Sequence, residues 1–64
     1  MITINGEPAE AESMCVADYL AREGYDAARV VVERNLEILS RESLADVIIQ
    51  DGDSIEILCF VGGG

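Results

Sequence analysis

The stretch Ser54-Ile55-Glu56-Ile57-Leu58-Cys59-Phe60-Val61 constrains the fold of this 64-residue chain more than any other. It has the length of a strand, and both of its faces carry apolar residues: Ile55, Ile57, Cys59 and Val61 alternate with Glu56, Leu58 and Phe60. Such a strand sits in the interior of a sheet. It is either covered on both faces, or covered on one with the other left as a docking surface. The choice depends on what else the chain can supply. Sixty-four residues make a single domain, close to the lower limit at which a core alone holds a fold. Only one segment reads as a helix of about two turns, which covers one face of a four- or five-stranded sheet. The expectation is therefore an α+β domain with a mixed sheet and one main helix packed on one face. Leu58 and Phe60 then lie on the open face.

The other elements follow from local pattern. Ile2 and Ile4 alternate with Thr3 and Asn5, and Asn5-Gly6 is a strong two-residue hairpin signal. The return strand is expected from Pro8 to about Ser13, with its Pro and glutamates at a sheet edge. Val16, Tyr19, Leu20 and Glu23 are spaced for one helical face over roughly 16–23. Cys15 stands at the N-cap position, where a thiol is a poor acceptor, and Gly24 is placed as the left-handed terminator. Arg29 to Arg34 is a β-branched run bounded by Asn35, and Glu37-Ile38-Leu39 follows closely enough to form a second, shorter hairpin. Arg41 to Asp46 has room for one helical or 3₁₀ turn with Leu44 pointing inward. Gln50-Asp51-Gly52-Asp53 reads as a turn ahead of the last strand.

Charge and cysteine content exclude several function classes. Thirteen acidic residues face four basic ones, for a net charge of -9. Attraction to nucleic acid or to an anionic membrane would require the opposite sign, so a basic protein partner is the better match. All four cations are arginines, and two cysteines without histidine cannot assemble a zinc or iron-sulfur site. The expectation is no metal, no cofactor and a reducing cytoplasmic home. No signal peptide and no membrane span are legible. Cys59 is read as a core thiol from its alternation with Ile55 and Ile57. Arg34 is read as a solvated turn residue, and Asp51 and Asp53 as turn formers.

The chain then runs into Gly62-Gly63-Gly64. Residues without Cβ atoms can lie extended in a slot only as wide as a backbone. Residues 1–61 are accordingly read as the domain and 62–64 as a flexible tail. With no His, no Lys and no nucleophile in that tail, nothing here could activate a carboxylate. No catalytic residue is assigned.

Asn5-Gly6, Val16-Ala17-Asp18-Tyr19-Leu20, Val31-Val32-Glu33-Arg34-Asn35, Asp51-Gly52-Asp53-Ser54-Ile55-Glu56-Ile57 and Phe60-Val61-Gly62-Gly63-Gly64 together resemble the sulfur carrier proteins of thiamine thiazole biosynthesis, the ThiS family, which have the ubiquitin-like β-grasp fold. The resemblance covers the whole chain. It departs at Cys15, usually Thr in the family, and at Ser40, usually Pro. What it implies is that Gly64 is the modified residue. An E1-like adenylyltransferase (ThiF) converts its carboxylate to an acyl-adenylate, and a sulfur donor fed by a cysteine desulfurase turns that into a thiocarboxylate. Thiazole synthase (ThiG) then accepts the sulfur. Gly62 and Gly63 would thread the partner's channel, with Leu58 and Phe60 as docking anchors. Ordering three tail residues costs roughly 3–6 kcal/mol, which docking of the globular part must offset. Two alternatives remain open: a carrier like the small subunit of molybdopterin synthase, and a ubiquitin-like modifier or plain interaction module.

Overall fold

The computed structural model describes residues 1–60. Five strands form one sheet: β1 (Ile2–Ile4), β2 (Glu7–Ala9), β3 (Val30–Arg34), β4 (Glu37–Ile38) and β5 (Ser54–Cys59), in the order β2-β1-β5-β3-β4. β5 is the central strand, parallel to β1 and antiparallel to β3. The sheet is mixed because β1 and β5 run the same way; the long connection between them carries the other three strands and α1 (Val16–Arg22), the one α-helix among the described residues.

Both hairpins turn on residues with positive φ. Asn5 and Gly6 (φ 54° and 81°) join β1 to β2, and Asn35 and Leu36 (φ 52° and 71°) join β3 to β4. Two left-handed residues in a two-residue loop define the type I′ turn, whose twist matches that of the flanking strands. Asn tolerates this conformation. Leu36 does not, and it is also 91% exposed, so its presence costs about 1 kcal/mol without any burial in return.

α1 is short, and its ends are well made. Cys15 is the N-cap, its Sγ accepting the Asp18 N–H at 3.4 Å. At the other end Gly24 (φ 81°) closes a Schellman motif, in which the Gly24 N–H donates to Ala21 O and the Tyr25 N–H to Leu20 O. The helix buries Val16, Tyr19 and Leu20 against Ile2, Ile4, Val32, Ile55 and Ile57 of the sheet. Leu44 and Ile49 complete that layer from the return segment. Each fully buried aliphatic side chain contributes about 1.5–3 kcal/mol, and Leu20, Ile49, Ile55, Val16 and Val32 are all fully buried. Glu23, expected on the same helical face, is instead exposed and paired with Arg22. Among the described residues, no helix is long and apolar enough to cross a membrane.

Two boundaries differ from expectation. The return strand ends at Ala9 rather than near Ser13, because β1 offers only three residues to pair with. Beyond it the chain turns at Ser13 (φ 72°) and bonds to another partner: Ser13 N–H donates to Ile49 O, and Ile49 N–H to Met14 O. A 3₁₀ turn at Ala27–Arg29 precedes β3, capped by Asp26, whose carboxylate accepts the Ala28 N–H at 3.0 Å. The expected turn before the last crossing is a 3₁₀ turn at Arg41–Ser43, with Leu44 buried behind it.

Candidate functional site

With α1 on one face of the sheet, side chains of alternate residues on β3 and β5 emerge on the other. Register places Leu58 opposite Val31 and Glu56 opposite Glu33, and Glu33 in turn opposite Ile38 on β4. Nothing among the described residues packs over them. Leu58 is 52% exposed, Phe60 64% and Ile38 71%, whereas Ile55 and Ile57 on the alternate positions are buried. The pairing continues one residue past β5, since the Phe60 N–H donates to Arg29 O at 2.8 Å. The sheet therefore holds the backbone at Phe60, just before the glycine end.

Three side chains hold β5 in register from both sides. The Asn5 side-chain oxygen accepts the Ile57 N–H at 2.7 Å, so the residue that makes the first turn also ties it to the central strand. Asn35 does the same from the second turn: its side-chain oxygen accepts the Ser54 N–H at 2.9 Å, and its amide donates to Asp53 at 3.1 Å. Asp53, 6% exposed, also accepts the Gln50 N–H at 2.9 Å and the Arg34 Nε–H at 3.0 Å. Burial is the strongest single influence on this carboxyl and opposes its ionisation. The Gln50 N–H, followed by Arg34 and Asn35, jointly outweighs burial and holds its pKa below the ordinary carboxylate range.

The sequence-predicted residues fall into three groups. Leu58 and Phe60 lie exposed on the open face, as expected. Gly62, Gly63 and Gly64, with Val61 and the boundary between domain and tail, lie outside the described residues. Two readings are corrected. Cys59 is exposed, not a core thiol, because it lies on the helix face of the sheet beyond the part that is buried. Arg34 is a β3 residue paired with buried Asp53, not a solvated turn residue. Val31 and Ile38, not singled out from the sequence, share the open face. The signal for Val31 was the run Val30-Val31-Val32, in which alternation must send one side chain away from the helix. No group of three or more His, Cys, Asp or Glu among the described residues could hold a metal ion.

A central strand parallel to β1, two flanking hairpins and one helix across a single face define a ubiquitin-like β-grasp protein. The crystal structure of a thiamine biosynthesis protein (ThiS) from Geobacter metallireducens matches with a TM-score of 0.79 at 42% identity, covering 98% of this chain and 97% of that one. The chain belongs to the ThiS family, which it matches over residues 2–64. The sulfur carrier protein ThiS of Bacillus subtilis is 38% identical over 66 residues, covering 100% of both chains. Thiazole synthase of Paramagnetospirillum magneticum is 47% identical over 64 residues, which are 98% of this chain and 20% of that protein. A second thiazole synthase, from Magnetococcus marinus, is 39% identical and is likewise spanned over only 20% of its length.

Proposed function

We propose that this chain is a sulfur carrier of thiamine thiazole biosynthesis, working in the cytoplasm as a co-substrate of partner enzymes and not as a catalyst. The observation that supports this best is the likeness to the Bacillus subtilis carrier over the full length of both chains, together with a family match that runs through Gly64. A terminal carboxylate, with an ordinary pKa of about 3.5, is an anion at neutral pH and a poor electrophile. An adenylyltransferase removes that obstacle: the Gly64 carboxylate attacks the α-phosphorus of ATP, pyrophosphate leaves, and an acyl-adenylate forms. A persulfide sulfur supplied through a cysteine desulfurase then displaces AMP to give an acyl disulfide, and two further thiol groups cleave its S–S bond, becoming a disulfide themselves and leaving a thiocarboxylate on Gly64 and a free thiol on the donor. Thiazole synthase takes the sulfur, and the carboxylate is regenerated as an oxygen from water or from the sulfur acceptor replaces it on the acyl carbon. Two relatives that contain a segment like this chain are themselves thiazole synthases.

The chain's own part is presentation. Asn5, Asn35 and Asp53 fix β5, and Leu58 and Phe60 dock it, so that Gly62, Gly63 and Gly64 enter the partner's channel. Pyrophosphate exchange tests the reading. With the cognate adenylyltransferase, label should pass from pyrophosphate into ATP only when this chain is present, and deletion of Gly63-Gly64 should abolish it. Exchange that is indifferent to the deletion would contradict the proposal.

A further inference from the structure

We infer that the open sheet face recognises an arginine of the adenylyltransferase, seated between Glu33 and Glu56 and flanked by Val31 and Leu58. This inference rests on the carrier reading and names what the partner presents to that face.

Glu33 and Glu56 are direct register partners on the two central strands, β3 and β5. Like charges directly opposite one another destabilise a sheet. Neither carboxylate has a cation among the described residues, and the arginines that could serve are engaged elsewhere. Arg22 pairs with Glu23, Arg29 with Asp26, and Arg34 with Asp53, while Arg41 donates to Ala28 O. Arg34 follows Glu33 in β3, so alternation sends it to the opposite face. The domain thus carries a repulsive pair at the centre of a face that it leaves uncovered. The pair sits beside Leu58, whose register partner is Val31.

The charge also identifies the occupant. A second copy of this chain would bring four carboxylates together and oppose two net charges of -9. Nucleic acid and anionic lipid are excluded by the same sign. A guanidinium fits best: its planar fork can donate to two carboxylates at once, and it tolerates partial desolvation beside apolar side chains better than an ammonium does.

The test compares the full chain with Glu33→Gln/Glu56→Gln and with a control, Glu10→Gln/Glu12→Gln, which removes the same charge elsewhere. Affinity for the cognate adenylyltransferase is measured by calorimetry at several salt concentrations, and Tm is measured for each free chain. The expected result is that Glu33→Gln/Glu56→Gln raises Tm yet weakens binding by about tenfold or more with a flatter salt dependence, while the control stays within about twofold of the parent. Equal affinities for the two variants would overturn the inference and assign the effect to long-range charge. A lowered Tm for Glu33→Gln/Glu56→Gln would overturn it too, by giving the pair a structural role. Self-association that depends on Glu33 and Glu56 would replace the partner by a second copy. Adenylation of the parent separates the two levels: unchanged affinity with adenylation intact contradicts this inference alone, and a parent that is never adenylated contradicts the carrier reading as well.

Discussion

Arg34 on β3 donates its Nε–H to Asp53 at 3.0 Å, joining the strand next to β5 to the turn that launches β5. Asp53 is buried and has four neighbours' worth of structure depending on its charge: Gln50, Arg34, Asn35 and, through Asn35, Ser54. Its pKa is lowered in the folded state, so its stabilising contribution is fully present above the unfolded value of about 3.9 and is lost as pH falls through the lower folded value. Denaturant titrations should show stability declining below about pH 4. In Asp53→Asn that decline should be shallower, starting from a neutral-pH stability lower by about 2–3 kcal/mol. A decline as steep as in the parent would show that other carboxylates carry it.

Asn5→Ala should cost about 1–3 kcal/mol, since it strands the Ile57 N–H and places an alanine at φ 54°. Asn5→Gly separates the two causes. It relieves the backbone and leaves the N–H unpaired, so it should recover only part of the loss in thermal unfolding.

Cys15→Thr should stabilise the domain by about 0.5–1 kcal/mol. A hydroxyl oxygen is a better acceptor than the sulfur that now caps α1 at 3.4 Å from the Asp18 nitrogen. A rise in Tm with no change in the circular dichroism of the helix is the expected outcome.

Leu58→Asp and Phe60→Asp should each leave stability within about 1 kcal/mol of the parent, because both side chains already face solvent. Each should weaken adenylyltransferase binding by about tenfold or more. Unfolding of both variants would mean that the face is part of the core.

The architecture was legible because its signals are local and periodic: alternation in β1 and β5, Asn-Gly at the first turn, Gly24 at the helix end. The open face followed from counting, one short helix against a strand apolar on both sides. What escaped were long-range pairings. Asn5 reaches Ile57, and Arg34 reaches Asp53, across most of the chain or a third of it, and no spacing rule joins them. Cys59 was misjudged because alternation gives the face of a strand but not how far the covering layer extends. The return strand was overextended for a related reason: its alternating alanines fit a strand, but β1 ends too early to pair with them.

The most direct measurement is the intact mass of the full chain after incubation with ATP, the cognate adenylyltransferase and a persulfide donor. The account predicts replacement of one oxygen by sulfur, localised by fragmentation to Gly64. An unchanged mass, with partners shown to be active on another carrier of the ThiS family, would contradict it.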